Sequence, residues 1–214
     1  CIRDRVSLVA ENGLNILSAQ YERIQSVSDA TVLSCYLDSS KEPAVRALPE
    51  AVIYPFGLNQ SQKTAVENAL SSQISIIQGP PGTGKTQTIL NIIANAVRNG
   101  QTVAVVSNNN SATLNVAAKL EKKGLSFLTA FLGSRANKEH FLEAQTGQYP
   151  DMSAWVLEPE EKSRLDQEVT GLSKELSEML NVKNRIAAIE QELLQLTPEQ
   201  YYFGAVSYTH LRAH

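Results

Sequence analysis

Eight consecutive residues, GPPGTGKT at 79–86, constrain the fold of this chain more than any other feature of its sequence. The apolar, β-branched residues Ile74, Ile76 and Ile77 directly before them predict a buried strand. The helical spacing of the apolar residues at 89–97 predicts a helix directly after them. A strand, a GxxxxGK[ST] loop and a helix in this order are typical of a phosphate-binding P-loop.

The residue types of this loop suit a nucleoside triphosphate. Gly79, Gly82 and Gly84 allow backbone N–H groups to approach phosphate oxygens, and the following helix adds the positive end of its dipole. Lys85 and Thr86 are the predicted catalytic residues, because the Lys85 ammonium can bind the β- and γ-phosphates and the Thr86 hydroxyl can bind Mg²⁺. The alternative is a glycine-rich turn that only joins a strand to a helix.

Composition sets wide limits on the partners of the chain. With 43% hydrophobic and 19% charged residues among 214, it is typical of a soluble globular protein. The net charge of −3 does not by itself indicate a nucleic-acid-binding protein. Cys1 and Cys35 are the only cysteines and have no metal-site spacing, which favours a reducing, cytoplasmic location. No apolar run approaches the roughly 18 residues of a membrane span, so no membrane partner is expected.

A second motif lies upstream of the loop, in the LNxSQ string that begins at Leu58. Asn59 or Ser61 is positioned to cap the next helix. Taken with GPPGTGKT, this string resembles the superfamily 1 DNA/RNA helicases, in which a glutamine at the position of Gln62 recognises adenine. The resemblance therefore implies ATP, whereas the alternative for this stretch is a loop with an N-cap. The full set of predicted nucleotide-binding residues is Gln62, Gly79, Pro80, Pro81, Gly82, Thr83, Gly84, Lys85, Thr86 and Gln87.

A third motif follows the predicted strand at 102–106. Residues 109–112, NNSA, align with a loop of the same helicases that grips the backbone of single-stranded nucleic acid, with an asparagine in place of the family's serine. Short polar side chains at a helix N-terminus suit phosphate contacts without base specificity. The alternative is a polar capping loop. The predicted nucleic-acid-binding residues are Asn109, Asn110, Ser111 and Thr113.

The alternation of predicted strands and helices, with a third strand at 126–132, predicts an α/β fold. The expected architecture is a RecA-like P-loop domain with a parallel sheet at 51–157. A small β-rich piece at 1–50, with a strand at 31–37, is expected before it. A coiled-coil-like helical insertion at 158–200 follows, either one helix or a hairpin interrupted near Asn181. Residues 206–214 resemble a translated sequencing adapter and are excluded from this prediction.

These features predict the N-terminal part of an ATP-dependent helicase that couples hydrolysis to translocation on single-stranded DNA or RNA. The resemblance covers about residues 58–133, and no acidic residue follows a later apolar strand to hold Mg²⁺. The chain itself is therefore expected to bind ATP without efficient turnover. The alternatives are a P-loop ATPase of the AAA+ or SMC-like type with a coiled-coil arm, and a non-catalytic nucleotide-binding module.

Overall fold

The structure is a computed structural model and describes residues 22, 24, 26–144 and 151–211. Over these residues the regular structure is helical, with two short 3₁₀ helices at Ser126–Leu128 and Ser153–Trp155. The α-helices in chain order are α1 Val32–Leu37, α2 Gln60–Ser71, α3 Lys85–Arg98, α4 Asn110–Glu121, α5 Arg135–Glu143 and α6 Pro159–Leu211.

The predicted α/β class with a RecA-like parallel sheet is wrong for the described part of the chain, which contains no strand. A single isolated antiparallel bridge joins Val45 to Ser72 there. Residues 74–77 and 102–106 have no regular secondary structure, and Ile76 is 82% exposed. Apolar, β-branched residues favour extended backbone, but a strand also requires a neighbouring backbone with which it can form a ladder. Sequence pattern measures the first property and not the second.

Two further predicted strands are helical in whole or in part. Residues 126–132 begin with the 3₁₀ helix, and residues 31–37 form α1 with its N-cap. The Thr31 hydroxyl accepts a hydrogen bond from the N–H of Ser34 at 3.4 Å and so caps α1. A short apolar run of this kind does not distinguish a strand from a helix. Residues 1–21 of the β-rich piece predicted at 1–50 lie outside the described residues.

The chain divides into two compact units, Cys1–Arg46 with Ser72–Ser75, and Ala47–Ser71 with Ile76–His214. In the first unit the Gln73 side chain accepts a hydrogen bond from the N–H of Ala44 at 2.9 Å, which joins the two segments. Lys41 forms an ion pair of 2.5 Å with Asp29. This hydrogen-bonded pair lowers the pKa of Asp29 and raises the pKa of Lys41.

The second unit has a small apolar core between α3 and α4. Leu90 packs with Val116 and Leu120 in a buried cluster, and partly buried neighbours complete it with Phe56, Ile93 and Leu125. A glycine in the left-handed conformation follows each of these two helices. Gly100 follows α3 and Gly124 follows α4, both with a φ of 72°, which is the left-handed C-cap geometry that glycine favours.

The long helix predicted after residue 157 is present as α6, and the alternative of an interruption near Asn181 is wrong. It has 53 residues and begins with Pro159, a residue suited to the first helical position, and its length is about 80 Å. Its apolar residues Val182, Ile186 and Ile189 are more than half exposed. Residues 206–211 belong to its last turns, and their adapter-like origin stays a prediction. None of the described helices is both long enough and apolar enough to cross a membrane.

Candidate functional site

The loop at residues 79–86 folds around the side chain of its own lysine. Lys85 is the first residue of α3, and its ammonium donates to the carbonyl oxygens of Gly79 at 2.5 Å and Pro80 at 2.8 Å. The Thr83 hydroxyl donates to the same Pro80 carbonyl at 2.8 Å. The ammonium is therefore held against the loop at the N-terminus of a helix, where the helix dipole is positive.

The glycines of this loop are required for two different reasons. A β-carbon at residue 79 would lie 2.7 Å from the Thr83 hydroxyl oxygen, so close packing within the loop excludes a side chain there. Gly82 has open space around it but a φ of 86°, a backbone conformation that glycine adopts without strain. Gly84 combines both constraints, with a φ of 81° and the Gln62 amide directly against it. Such a loop fits a phosphate group, because its backbone N–H groups are not covered by β-carbons.

The structure brings Gln62, the residue to which the resemblance assigns adenine recognition, to this loop. Its backbone N–H donates to the Asn59 side chain at 2.8 Å, and its side-chain oxygen accepts from the N–H of Asn59 at 2.9 Å. This reciprocal pair is a capping box and identifies Asn59, rather than Ser61, as the N-cap of α2. The Gln62 Nε2 also donates to the Thr83 carbonyl at 3.0 Å. The amide therefore joins the start of α2 to the loop at residues 79–86.

The remaining predicted nucleotide-binding side chains lie on the first turn of α3. Thr86 is half-buried one residue after Lys85, where a P-loop hydroxyl binds Mg²⁺. The exposed Gln87 accepts from Gln62 Nε2 at 3.4 Å and donates to the carbonyl of Phe56 at 3.3 Å. Gln87 therefore contacts both Gln62 and the segment that leads to it.

Sequence reasoning missed two buried asparagines on the same helix. Asn91 and Asn95 are 0% and 1% exposed and bind the backbone of residues 53–57. The signal was present, because two asparagines four residues apart in the otherwise apolar stretch 89–97 lie on one face of the helix. The apolar residues identified the helix, but Ile89 and Val97 are more than a third exposed, so they do not define its buried face.

The predicted nucleic-acid loop has the geometry of a helix cap. Asn109 is the N-cap of α4, and its side-chain oxygen accepts from the Ser111 N–H at 3.0 Å and the Ser111 hydroxyl at 2.7 Å. The Thr113 hydroxyl donates to the carbonyl of Asn110 at 2.9 Å. All but the half-buried Thr113 are exposed. The capping alternative is thus realised, and the contact with nucleic acid stays a prediction.

Three relatives show what the chain is similar to. DNA-binding protein SMUBP-2 of Mesocricetus auratus is 35% identical over 92 residues, which cover 42% of this chain and 9% of that protein. The Regulator of nonsense transcripts 1 homolog of Arabidopsis thaliana is 36% identical over 143 residues, 64% of this chain and 11% of that protein. An uncharacterized ATP-dependent helicase of Methanocaldococcus jannaschii is 44% identical over 72 residues, 33% of this chain and 11% of that protein.

The matches with these relatives thus cover only 9 to 11% of their length. No solved structure matches the chain. A family described as an AAA domain matches residues 57–201, which is more than half of the chain and includes the loop at residues 79–86, Gln62 and the Asn109 cap. The chain therefore belongs to this AAA-domain family and, with its helicase relatives, to superfamily 1.

Proposed function

We propose that the loop at residues 79–86 binds Mg·ATP and that the chain is part of a helicase-type ATPase. The observation that carries this proposal is the position of the Lys85 ammonium, held by two loop carbonyls at the N-terminus of α3. The glycine loop around it leaves backbone N–H groups accessible to phosphate oxygens. The name of the Methanocaldococcus jannaschii relative, an ATP-dependent helicase, supports ATP as the nucleotide.

Binding of a triphosphate requires a local exchange of partners at Lys85. The ammonium leaves the carbonyls of Gly79 and Pro80 and donates to the β- and γ-phosphate oxygens instead. The free N–H groups in the first turn of α3 face the same negative charge. The Thr86 hydroxyl is the side chain that would bind Mg²⁺, which balances charge on the phosphates when it is present.

Gln62 is the proposed adenine-binding residue, since an amide donates and accepts at once. Both the oxygen and the nitrogen of the Gln62 side-chain amide form hydrogen bonds within the protein. Binding of a base by this amide therefore requires one of these hydrogen bonds to break. We expect Gln62→Ala to reduce the preference for ATP over GTP, because one bidentate base contact contributes about 1–3 kcal/mol of discrimination. Undiminished discrimination in this variant would leave Gln62 with the capping role alone.

The proposed partner is single-stranded DNA or RNA, bound at the N-terminus of α4 by Asn109, Asn110, Ser111 and Thr113. The name of the SMUBP-2 relative, a DNA-binding protein, supports a nucleic-acid partner. In the whole protein, ATP hydrolysis would be coupled to movement along that strand. Phosphate release by this chain is expected to stay near background, because an arginine finger alone contributes about 10³–10⁵ in rate and no residue of the described part is assigned to that role.

The direct test is the affinity for Mg·ATP of the parent and of Lys85→Ala, measured by calorimetry. Loss of the ammonium should weaken binding at least tenfold, since a charge-assisted bond contributes about 1.5–3 kcal/mol, with an unchanged far-ultraviolet circular dichroism spectrum. Lys183→Ala is the control, because it removes an exposed lysine from α6. Equal affinity in the parent and Lys85→Ala would contradict the proposed function. A parent turnover near 1 s⁻¹ or faster, abolished by Lys85→Ala, would contradict only the expectation of slow hydrolysis.

A further inference from the structure

The helix that begins at the phosphate-binding loop carries a polar stripe along one side. Gln87, Asn91, Asn95 and Arg98 are spaced by four, four and three residues, which places them on one face of α3. Asn91 and Asn95 are fully buried. Burial of an amide is unfavourable unless it is hydrogen-bonded. The hydrogen-bond partners of these two side chains therefore indicate the structural role of the stripe.

The partners are backbone groups of residues 53–57, a segment that runs antiparallel to α3. Asn95 accepts from the N–H of Ile53 at 2.9 Å and donates to the carbonyl of the same residue at 2.7 Å. Asn91 accepts from the N–H of Phe56 at 3.1 Å and donates to the carbonyl of Gly57 at 2.9 Å. The two amides thus bind this segment as a neighbouring strand would, through both donors and acceptors of its backbone.

Asn95 also supports Asn91 directly. Its second N–H donates to the Asn91 carbonyl at 2.8 Å, so its acceptor and both of its donors are used inside the protein. An apolar side chain of similar volume would fill the same space. It would not fix the direction or register of the backbone at residues 53–57. The polar stripe therefore does more than fill the core, because it specifies where this segment lies along α3.

This segment leads directly to Gln62. Two residues after Gly57, Asn59 starts the capping box that holds the Gln62 side-chain oxygen. The other end of the same amide donates to Thr83, next to the residue that precedes α3. Asn91, the segment, the capping box and the phosphate-binding loop thus form a closed ring of bonds that starts and ends on α3.

We propose that Asn91 and Asn95 are positioning residues that place Gln62 against the phosphate-binding loop and so set the base selectivity of the site. This inference rests on the proposed function, since base selectivity presupposes nucleotide binding. Without Asn91, the Phe56 N–H and the Gly57 carbonyl lose their hydrogen bonds to α3. The bond of the exposed Gln87 to the Phe56 carbonyl, at 3.3 Å, then remains between α3 and this end of the segment. The contacts of Lys85 with the phosphates do not depend on this ring of hydrogen bonds. Loss of Asn91 should therefore weaken the selection of the base and leave phosphate binding nearly unchanged.

The test compares the parent, Asn91→Ala and Asn95→Ala at a temperature well below the melting point of each variant. The dissociation constants for ATP, GTP and inorganic tripolyphosphate are measured with Mg²⁺. We expect the preference for ATP over GTP to fall at least fivefold, the low end of what one bidentate base contact provides. Affinity for tripolyphosphate, which has no base, should change less than twofold. Asn68→Ala, which removes an exposed asparagine from α2, is the control and should match the parent.

Hydrogen exchange gives a readout that needs no nucleotide. Asn91→Ala should raise the exchange rates of the amides at residues 59–62 as well as at 53–57, while those of α4 stay unchanged. If Asn91→Ala does not fold, Asn91→Asp replaces it, because this variant keeps the acceptor for Phe56 and loses the donor to Gly57.

The outcomes separate the two proposals. A lower melting temperature with unchanged base preference and unchanged exchange at 59–62 would overturn the positioning role and show that the asparagines only stabilise the core. A parent that binds none of the three probes would overturn the proposed function. Hydrogen exchange would then still decide whether Asn91 positions Gln62.

Discussion

Gly84 and Gln62 lie so close that a β-carbon on residue 84 would be 2.0 Å from the side-chain nitrogen of Gln62. The same β-carbon would be 2.8 Å from the side-chain oxygen of Gln87. Residue 84 also has a φ of 81° as the N-cap of α3. The bond from Gln62 to the Thr83 carbonyl is therefore possible only because residue 84 is glycine.

This relationship predicts different effects for two glycine substitutions in one loop. Gly82→Ala introduces a left-handed alanine with no atom within 4 Å of its β-carbon, so we expect only the backbone cost of about 1–2 kcal/mol. Gly84→Ala carries the same backbone cost and also displaces Gln62, so it should lower the free energy of unfolding further. Urea unfolding of both variants measures the difference. Equal destabilisation would show that Gln62 moves aside without loss.

Local features of this chain could be predicted because a few neighbouring residues determine them. The helix caps are examples, since Asn59, Gly100 and Gly124 act through bonds or backbone angles within their own turn. The turn at residues 79–84 and the helix after it follow from a motif whose residues are consecutive. The approach of Gln62 to this loop could be predicted only from resemblance, because 21 residues separate Gln62 from the Thr83 carbonyl that it binds.

The predictions that were wrong or incomplete concern features that depend on partners distant in sequence. Ile76 and Val106 lie in segments with strand-like patterns, yet they are 82% and 88% exposed and the segments pair with nothing in the described part of the chain. The buried face of α3 was missed because Asn91 and Asn95 bond to a segment more than 30 residues away. An asparagine in an isolated helix pattern favours an exposed face, and only its backbone partners make burial favourable.

The ion pair between Arg98 and Asp166 joins α3 to the long helix α6. Arg98 also donates to the Ala51 carbonyl at 2.7 Å. Replacing Arg98 therefore removes a hydrogen bond that replacing Asp166 leaves intact. We expect Asp166→Asn to lower the free energy of unfolding by about 0.2–1 kcal/mol, since both side chains are partly exposed. Arg98→Met should lower it by roughly a further 0.5–1.5 kcal/mol, because the Ala51 carbonyl loses its donor.

Urea unfolding at low and high salt tests this difference. Salt screens the charge interaction, so the effect of Asp166→Asn should shrink at 1 M ionic strength, where the Debye length is about 3 Å. The additional cost of Arg98→Met should persist. Glu168→Gln, which removes an exposed charge from the same helix, is the control. Equal costs for the two variants at both ionic strengths would contradict the second role of Arg98.

Tyr54 gives the second unit a dependence on alkaline pH. Its half-buried hydroxyl donates to Glu67 at 3.4 Å, and burial, followed by the charge of Glu67, raises the pKa of Tyr54 above its ordinary value of 10.0. In the unfolded chain the phenol releases its proton near pH 10, whereas in the folded chain it keeps the proton. The stability that this tyrosine contributes is therefore complete below about pH 10 and is lost as the pH rises further.

Comparison of the parent with Tyr54→Phe isolates this effect. The free energy of unfolding should fall less steeply between about pH 9.5 and 11 in the variant, because phenylalanine has no proton to lose. All other titratable side chains are the same in both proteins, so their effects cancel in the difference. Tyr36→Phe is the control, because Tyr36 is 82% exposed. Parallel pH profiles for the parent and Tyr54→Phe would contradict the assigned pKa shift.

Asn109 permits a test that separates its observed role as a helix cap from its proposed role in nucleic-acid binding. Asn109→Asp keeps the oxygen that accepts from the Ser111 N–H and hydroxyl, and aspartate caps a helix as well as asparagine does. The substitution also adds a negative charge where phosphates are proposed to bind. We therefore expect unchanged thermal stability but weaker binding of single-stranded DNA and RNA, most of all at low ionic strength.

Three further variants of α4 and its cap are compared with Asn109→Asp. Asn109→Ala removes the cap and should lower the free energy of unfolding by about 0.5–2 kcal/mol, while Asn109→Ser restores the residue type of the helicase motif and should keep both properties. Asn115→Asp adds the same charge at an exposed position of α4, and so controls for a general change in net charge. Fluorescence anisotropy with labelled oligonucleotides measures binding. If Asn109→Asp and Asn115→Asp weaken binding equally, the α4 N-terminus is a cap without a specific phosphate contact, because only net charge would then matter.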